Sequence, residues 1–151
     1  ILSEWPQGGS VHRGFKILLL EAWDEIEQIL NSLTGNIYFT GHSLGGALAV
    51  LASTLKKPVA VYTFGAPSMA YHFFVEKTQH INIFRVVNPQ DIVASVPPLP
   101  GIKHVGESHY LTGSKAADHA RNWFEAPSFL ADHSPYNYRP CKTTIVVLIS
   151  E

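Results

Sequence analysis

Apolar residues near the start of the chain recur at helical spacing, and shorter apolar runs follow at intervals. Between Phe15 and Leu33 the apolar positions form one stripe with charged residues opposite, which is typical of an amphipathic helix that stops near Gly35. The later apolar runs have the length of buried strands, except for one alanine-rich stretch of helical length. The predicted elements are a helix over 15–33, a strand over 36–40, a helix over 45–57, and strands over 59–65, 80–88 and 143–150.

The alternation of helices and strands predicts an α/β fold, with a mostly parallel sheet and helices on both faces. A length of 151 residues fits one domain, so residues 1–151 are predicted to form a single domain. The net charge of −1, without a basic cluster, argues against a nucleic-acid partner. No apolar run reaches the roughly 18 residues of a membrane span. The single cysteine, Cys141, excludes a disulfide within this sequence and a cysteine-rich zinc site.

The segment TGHSLGGALAV places a serine at the junction of a predicted strand and a predicted helix. Its core, Gly41-His42-Ser43-Leu44-Gly45, has the G-x-S-x-G pattern of the nucleophile elbow of α/β-hydrolases. Such a sharp turn strains the serine backbone, and a side chain at either flanking glycine is expected to collide with a neighbouring element. The helix N-terminus would aim free N–H groups at a reacting oxygen. The pattern therefore predicts that Ser43 is a nucleophile rather than an ordinary turn residue.

A serine nucleophile needs a histidine to take its proton and a carboxylate to orient that histidine. In this fold the chain order is serine, acid, histidine. Asp91 follows the predicted strand 80–88, at the carboxyl end of a parallel strand, where such sheets place their sites. It is therefore the predicted acid.

The eight histidines leave the choice of base open. Spacing favours His133, which lies in a loop before the last predicted strand, over His119, which lies in a stretch with the pattern of a solvated helix. His104 and His109 fall in a predicted strand or loop. Four histidines precede Asp91 and are out of order: His12, His42, His72 and His80.

Five blocks of the sequence resemble, in the same order, blocks of the class 3 lipase family. The resemblance covers nearly the whole chain and implies an α/β-hydrolase that cleaves fatty-acyl ester bonds, typically in acylglycerols or phospholipids. It also implies that no metal or organic cofactor is needed. The five blocks are VHRGF (11–15), TGHSLGGALA (40–49), YTFGAPS (62–68), RVVNPQDIVASVPP (85–98) and DHSPYNY (132–138).

Matched position by position, the resemblance makes Ser43 the nucleophile, Asp91 the acid and His133 the base. The backbone N–H of Leu44 becomes one donor of the oxyanion hole. The implied partner is a lipid ester, met during transient contact with a lipid interface. A nucleic-acid partner and a transmembrane segment are not expected.

The chain departs from the family at its front. In the family, a strand before the VHRGF-like block ends in an Arg-Gly-Thr/Ser-like loop that supplies the second oxyanion donor, and a lid helix often follows. Here only ILSEWPQGGS precedes that block, so the sequence is expected to be N-terminally incomplete, to expose a sheet edge and to be a poor catalyst alone. Ser10 or the Gly8-Gly9 turn is an alternative second donor.

Two other functions remain open on the sequence alone. The chain could be a lipid- or partner-binding domain that has lost turnover, a reading that the missing front segment supports. It could also be a thioesterase or a small-ester esterase that uses the same triad.

Overall fold

The computed structural model of the protein describes residues 2–95, 100–111, 133 and 146–150. Strands and helices are numbered here in chain order. Four strands of the main sheet run parallel, and the fifth, at one edge, is antiparallel to its neighbour. In spatial order the strands are β8 (Glu107–Tyr110), β6 (Ile83–Val87), β4 (Ala60–Phe64), β3 (Asn36–His42) and β9 (Val146–Ser150).

The helices follow the predicted alternation. The described helices are α1 (Arg13–Ser32), α2 (Leu44–Leu55) and α3 (His72–Lys77), with a short 3₁₀ turn at Val93–Ser95. The two long ones correspond to the predicted helices 15–33 and 45–57. Because β3, α2 and β4 are consecutive and β3 pairs in parallel with β4, the β3–α2 junction lies at the carboxyl edge of the sheet.

A second, smaller sheet is antiparallel and was not predicted. Its strands have two or three residues each, which is too short for a periodic pattern to appear in the sequence. The Trp5 indole N–H fixes its first hairpin to α2 by donating to Thr54 Oγ1 at 2.8 Å. In spatial order its strands are β1 (Leu2–Glu4), β2 (Ser10–His12), β5 (Ala70–Tyr71) and β7 (Ile102–Lys103).

Helix α2 packs between α1 and the main sheet, and its small residues allow a close approach. A Cβ atom at Gly46 would lie 2.8 Å from the Ala66 Cβ and 3.0 Å from the Gly41 carbonyl oxygen. On the other side, α1 buries Leu19, Trp23 and Leu30 in the core. This tight packing fixes the N-terminus of α2 relative to the end of β3.

One side of β3 pairs with a strand from much later in the chain. Residues 36–40 of β3 pair with 146–150 of β9 in an antiparallel ladder. Strand β9 thus supplies the backbone hydrogen-bond partners of β3 on this side. The exposed sheet edge expected from the sequence was not assigned to a strand and stays a prediction. The apolar pattern of 143–150 predicted a strand there, but not its direction or its neighbour.

Candidate active site

Ser43 sits in a strained turn between β3 and α2. Its φ of 55° and ψ of −127° make it the one non-glycine residue with positive φ in the described part of the chain. Its N–H donates to the Phe64 carbonyl oxygen at 2.9 Å, and its own carbonyl oxygen accepts the Gly46 N–H at 3.0 Å. Bonds to β4 and α2 thus hold a backbone conformation that serine avoids by itself.

The glycines of the turn permit contact between two backbones. A Cβ atom at Gly41 would overlap the Gly45 carbonyl group and crowd the Gly46 nitrogen. The collision expected from the sequence is therefore present at Gly41. At the helix side, the tight contact with the sheet is made by Gly46.

His133 connects the serine to the acid. Its Nε2 lies 2.7 Å from Ser43 Oγ, and its Nδ1 lies 2.9 and 3.0 Å from the two carboxylate oxygens of Asp91. The Asp91 side chain is fully buried, while the His133 side chain is 15% exposed. The structure thus brings the three predicted side chains into one hydrogen-bonded chain that spans 90 residues of sequence.

The loop after β6 fixes the Asp91 carboxylate. Asp91 Oδ1 accepts the backbone N–H of Val93 at 2.9 Å and that of Ala94 at 3.4 Å. These donors belong to the 3₁₀ turn Val93–Ser95. They favour the ionised carboxylate, which can then accept the His133 Nδ1–H and stabilise an imidazolium.

Leu44 is the first residue of α2, so its N–H has no partner inside the helix. No described residue accepts a hydrogen bond from it, and it lies directly after Ser43, where an oxyanion donor is needed. The alternative donors suggested by the sequence lie in the first hairpin of the small sheet. The Gly8 N–H donates to the Trp5 carbonyl oxygen, and Ser10 is paired in the first hairpin of the small sheet.

The sequence profile of the family described as Lipase (class 3) matches residues 2–101, about two thirds of the chain. The chain belongs to the class 3 lipase family. The matched range contains Ser43 and Asp91, whereas His133 lies beyond it.

Individual relatives of this class 3 lipase chain agree with the family match. It is 36% identical over 122 residues to the secreted mono- and diacylglycerol lipase 1 of Fusarium solani, covering 70% of this chain and 35% of that one. Lipase II from Rhizopus niveus superimposes with a TM-score of 0.65 at 28% identity, covering 74% of this chain and 49% of that one. A solved triacylglycerol lipase, described as having a serine protease triad as its catalytic centre, superimposes with a TM-score of 0.66 at 28% sequence identity. The match covers 75% of this chain and 50% of that one.

These neighbours confirm the predicted α/β-hydrolase fold. This class 3 lipase chain spans about a third of the Fusarium relative and about half of the two solved lipases.

The described residues lack two features, a membrane-spanning helix and a group of metal ligands. No helix among them combines the length and apolarity needed to cross a bilayer. In the same residues, no three His, Cys, Asp or Glu side chains are grouped so that they could hold a metal ion.

Two of the remaining histidines pair with glutamates on their own elements. His109 is on β8 beside Glu107, at 3.5 Å, and His72 faces Glu76 on α3 at 3.2 Å. His119 lies outside the described residues, so the expectation that it is a solvated surface residue stays a prediction.

We expect Gly41→Ala to be among the most destabilising single-methyl substitutions in the chain. The added Cβ meets backbone, which cannot rotate away, so α2 has to move from the sheet. The free energy of unfolding should fall by more than about 3 kcal/mol in a denaturant titration. The matched control is Gly14→Ala in α1, where the nearest atoms belong to the His12 ring at 3.2 Å and the change should stay within about 1 kcal/mol. Equal effects would contradict the backbone contact.

A half-buried histidine, His104, contacts the loop that carries Asp91. His104 Nε2 lies 3.0 Å from Ser68 Oγ, and the ring also hydrogen-bonds the backbone of Ala94, whose N–H contacts Asp91. Burial, followed by the nearby Arg85 guanidinium, lowers the pKa of His104 to about 4. Sequence reasoning assigned His104 no role, because its partners are distant along the chain.

We expect this neutral histidine to make the protein acid-sensitive. The pKa of His104 is about 4 in the folded protein and about 6.5 in the unfolded chain. Its contribution to folding stability is therefore fully present above pH 6.5 and is lost as the pH falls toward 4. Between pH 7 and pH 4.5 this effect should lower the free energy of unfolding by about 2 kcal/mol. Urea titrations of wild type and His104→Gln should show a stability gap that narrows toward acid pH. A gap of constant size would contradict the prediction.

Proposed function

We propose that this chain carries the catalytic centre of a serine hydrolase that cleaves fatty-acyl esters of glycerol. The observation that carries the proposal is the hydrogen-bonded chain from Ser43 through His133 to a buried Asp91, on a strained turn at a helix N-terminus. This arrangement activates a hydroxyl at neutral pH and needs no bound group to do so. Membership in the class 3 lipase family supports the same chemistry.

Acylation begins when Ser43 Oγ attacks the ester carbonyl carbon. The hydroxyl proton moves to His133 Nε2, 2.7 Å away, while the carbonyl electrons move onto the oxygen. The Leu44 N–H at the start of α2 is the donor proposed for this oxyanion. When the tetrahedral intermediate collapses, the C–O bond to the alcohol breaks and the alcohol leaves with the proton from His133 Nε2.

Deacylation repeats these steps with water. His133 Nε2 takes a proton from water, the hydroxide attacks the acyl carbon, and the bond to Ser43 Oγ breaks. The proton then returns to Ser43, so the fatty acid is released and the enzyme is restored. Throughout the cycle Asp91 holds the Nδ1–H of His133, which keeps Nε2 free to face the serine.

The apolar surface beside the site supports an acyl substrate. Leu44 and Ile92 directly follow the nucleophile and the acid, and their side chains are 39% and 52% exposed. Exposed apolar side chains next to a polar reacting centre suit an acyl chain or a lipid surface. The Fusarium relative is a mono- and diacylglycerol lipase, and one structural neighbour is a triacylglycerol lipase.

Release of fatty acid from a matched substrate series tests the proposal. The series comprises a short-chain monoacylglycerol, a long-chain diacylglycerol, phosphatidylcholine and an acyl thioester, with Ser43→Ala as the control protein. We expect acylglycerol hydrolysis that the control lacks, and slower release from the thioester. Binding to lipid vesicles without release from any substrate would support the non-catalytic alternative and overturn the proposal.

A further inference from the structure

His42, the residue before the proposed nucleophile, contacts the proposed base in two ways. Its Nε2 donates to the backbone carbonyl oxygen of His133 at 2.9 Å. The two imidazole rings also pack against each other, with centroids 4.7 Å apart and planes inclined by 33°. One contact fixes the main chain of His133 and the other fixes one face of its ring.

His42 itself is firmly held. It is the last residue of β3, it is paired in register with Phe64 of β4, and only 2% of its surface is exposed. The strand therefore places its ring with little freedom. His133, by contrast, comes from a segment far along the chain, and 90 residues separate it from Ser43.

A base in this position has to satisfy two hydrogen bonds at once, one to Asp91 and one to Ser43. A shift of about 1 Å can reduce turnover by about 100-fold, because proton transfer requires close alignment. Nothing in the Ser43–His133–Asp91 chain fixes the backbone of His133.

We propose that His42 is a positioning residue for the base: its Nε2–H and its ring lock the backbone and ring of His133 in the orientation that joins Ser43 to Asp91. This inference rests on the proposed function, since it assigns a partner to that same site. His42 acts through His133 and touches no reacting atom.

The charge state of His42 fits this role. Burial and, after it, the neighbouring His133 lower the pKa of His42, against the opposing effect of Asp91 and the hydrogen bond to His133. The ring is therefore neutral at pH 7, and its single N–H is the one donated to His133. A positive charge beside the imidazolium that forms during catalysis is avoided.

The test compares His42→Phe, which keeps an aromatic ring but lacks the donor, with His42→Gln, whose side-chain amide can still donate. Active sites are counted with a fluorophosphonate probe, and kcat and KM for a short-chain ester are expressed per titrated site. We expect His42→Phe to lose about 10- to 100-fold in kcat with KM within about twofold of wild type. His42→Gln should recover most of the loss.

The dependence of kcat/KM on pH gives a second measurement. The acid side of this profile should not change if His42 only stabilises the fold. In His42→Phe a looser His133–Asp91 pair stabilises the imidazolium less, so the acid side should shift to lower pH. If His42→Phe loses thermal stability but keeps wild-type kcat per site and an unchanged acid side of the profile, the inference is wrong. If the wild-type protein neither reacts with the fluorophosphonate probe nor hydrolyses the ester, the proposed function is wrong instead.

Discussion

Ser43→Ala should abolish ester hydrolysis while leaving the fold intact. The substitution removes the hydroxyl that His133 Nε2 contacts, so turnover should drop by about 10⁴-fold or more. The lost hydrogen bond to His133 is worth about 1 kcal/mol, which corresponds to a change in Tm of about 2–4 °C for a chain of this size. Initial rates with a short-chain ester and a thermal melt measure both effects.

A second serine provides the control for this result. The Ser32 hydroxyl is exposed at the end of α1 and donates to the Ile29 carbonyl oxygen. Ser32→Ala should keep full turnover. The assignment of Ser43 would be refuted by a Ser43→Ala protein that melts normally and still hydrolyses the ester at more than about a tenth of the wild-type rate.

His133→Ala should cost about 10³-fold or more in kcat, whereas His119→Ala should cost less than about threefold. The difference follows because His133 contacts both Ser43 and Asp91, and the sequence pattern around His119 is that of a solvated helix. Asp91→Asn should resemble the loss of the base, because an amide favours the wrong imidazole tautomer. All three are compared by kcat per folded chain.

This prediction is the sharpest test of the choice between the two histidines. Spacing alone left both open, and the resemblance to class 3 lipases selected His133. A large loss in His119→Ala together with a small loss in His133→Ala would reverse the assignment of the base.

The sequence predicted the parts of the molecule whose signals are local. The elbow around Ser43 needs glycine at specific positions of one short turn, so five consecutive residues are enough to recognise it. Asp91 could be placed because it follows a strong apolar strand by a few positions. The order of helices and strands was confirmed, as was the α/β-hydrolase fold that the resemblance to class 3 lipases implied.

Other features depend on contacts that no local pattern encodes. The small antiparallel sheet has strands of two or three residues, and the antiparallel pairing of β9 with β3 joins residues 146–150 to residues 36–40. The contact of His42 with His133 spans 91 residues. The brace that His104 makes with Ser68 could not be inferred either, because both side chains appear in the sequence as isolated polar residues.

A fluorophosphonate probe forms a covalent adduct with an activated serine, so the position of the adduct identifies the nucleophile. We expect one adduct per chain by intact mass, found on Ser43 by peptide mapping, absent in Ser43→Ala and formed far more slowly in His133→Ala. Adducts on another serine, or equal labelling rates in wild type and His133→Ala, would show that Ser43 is not a nucleophile activated by His133.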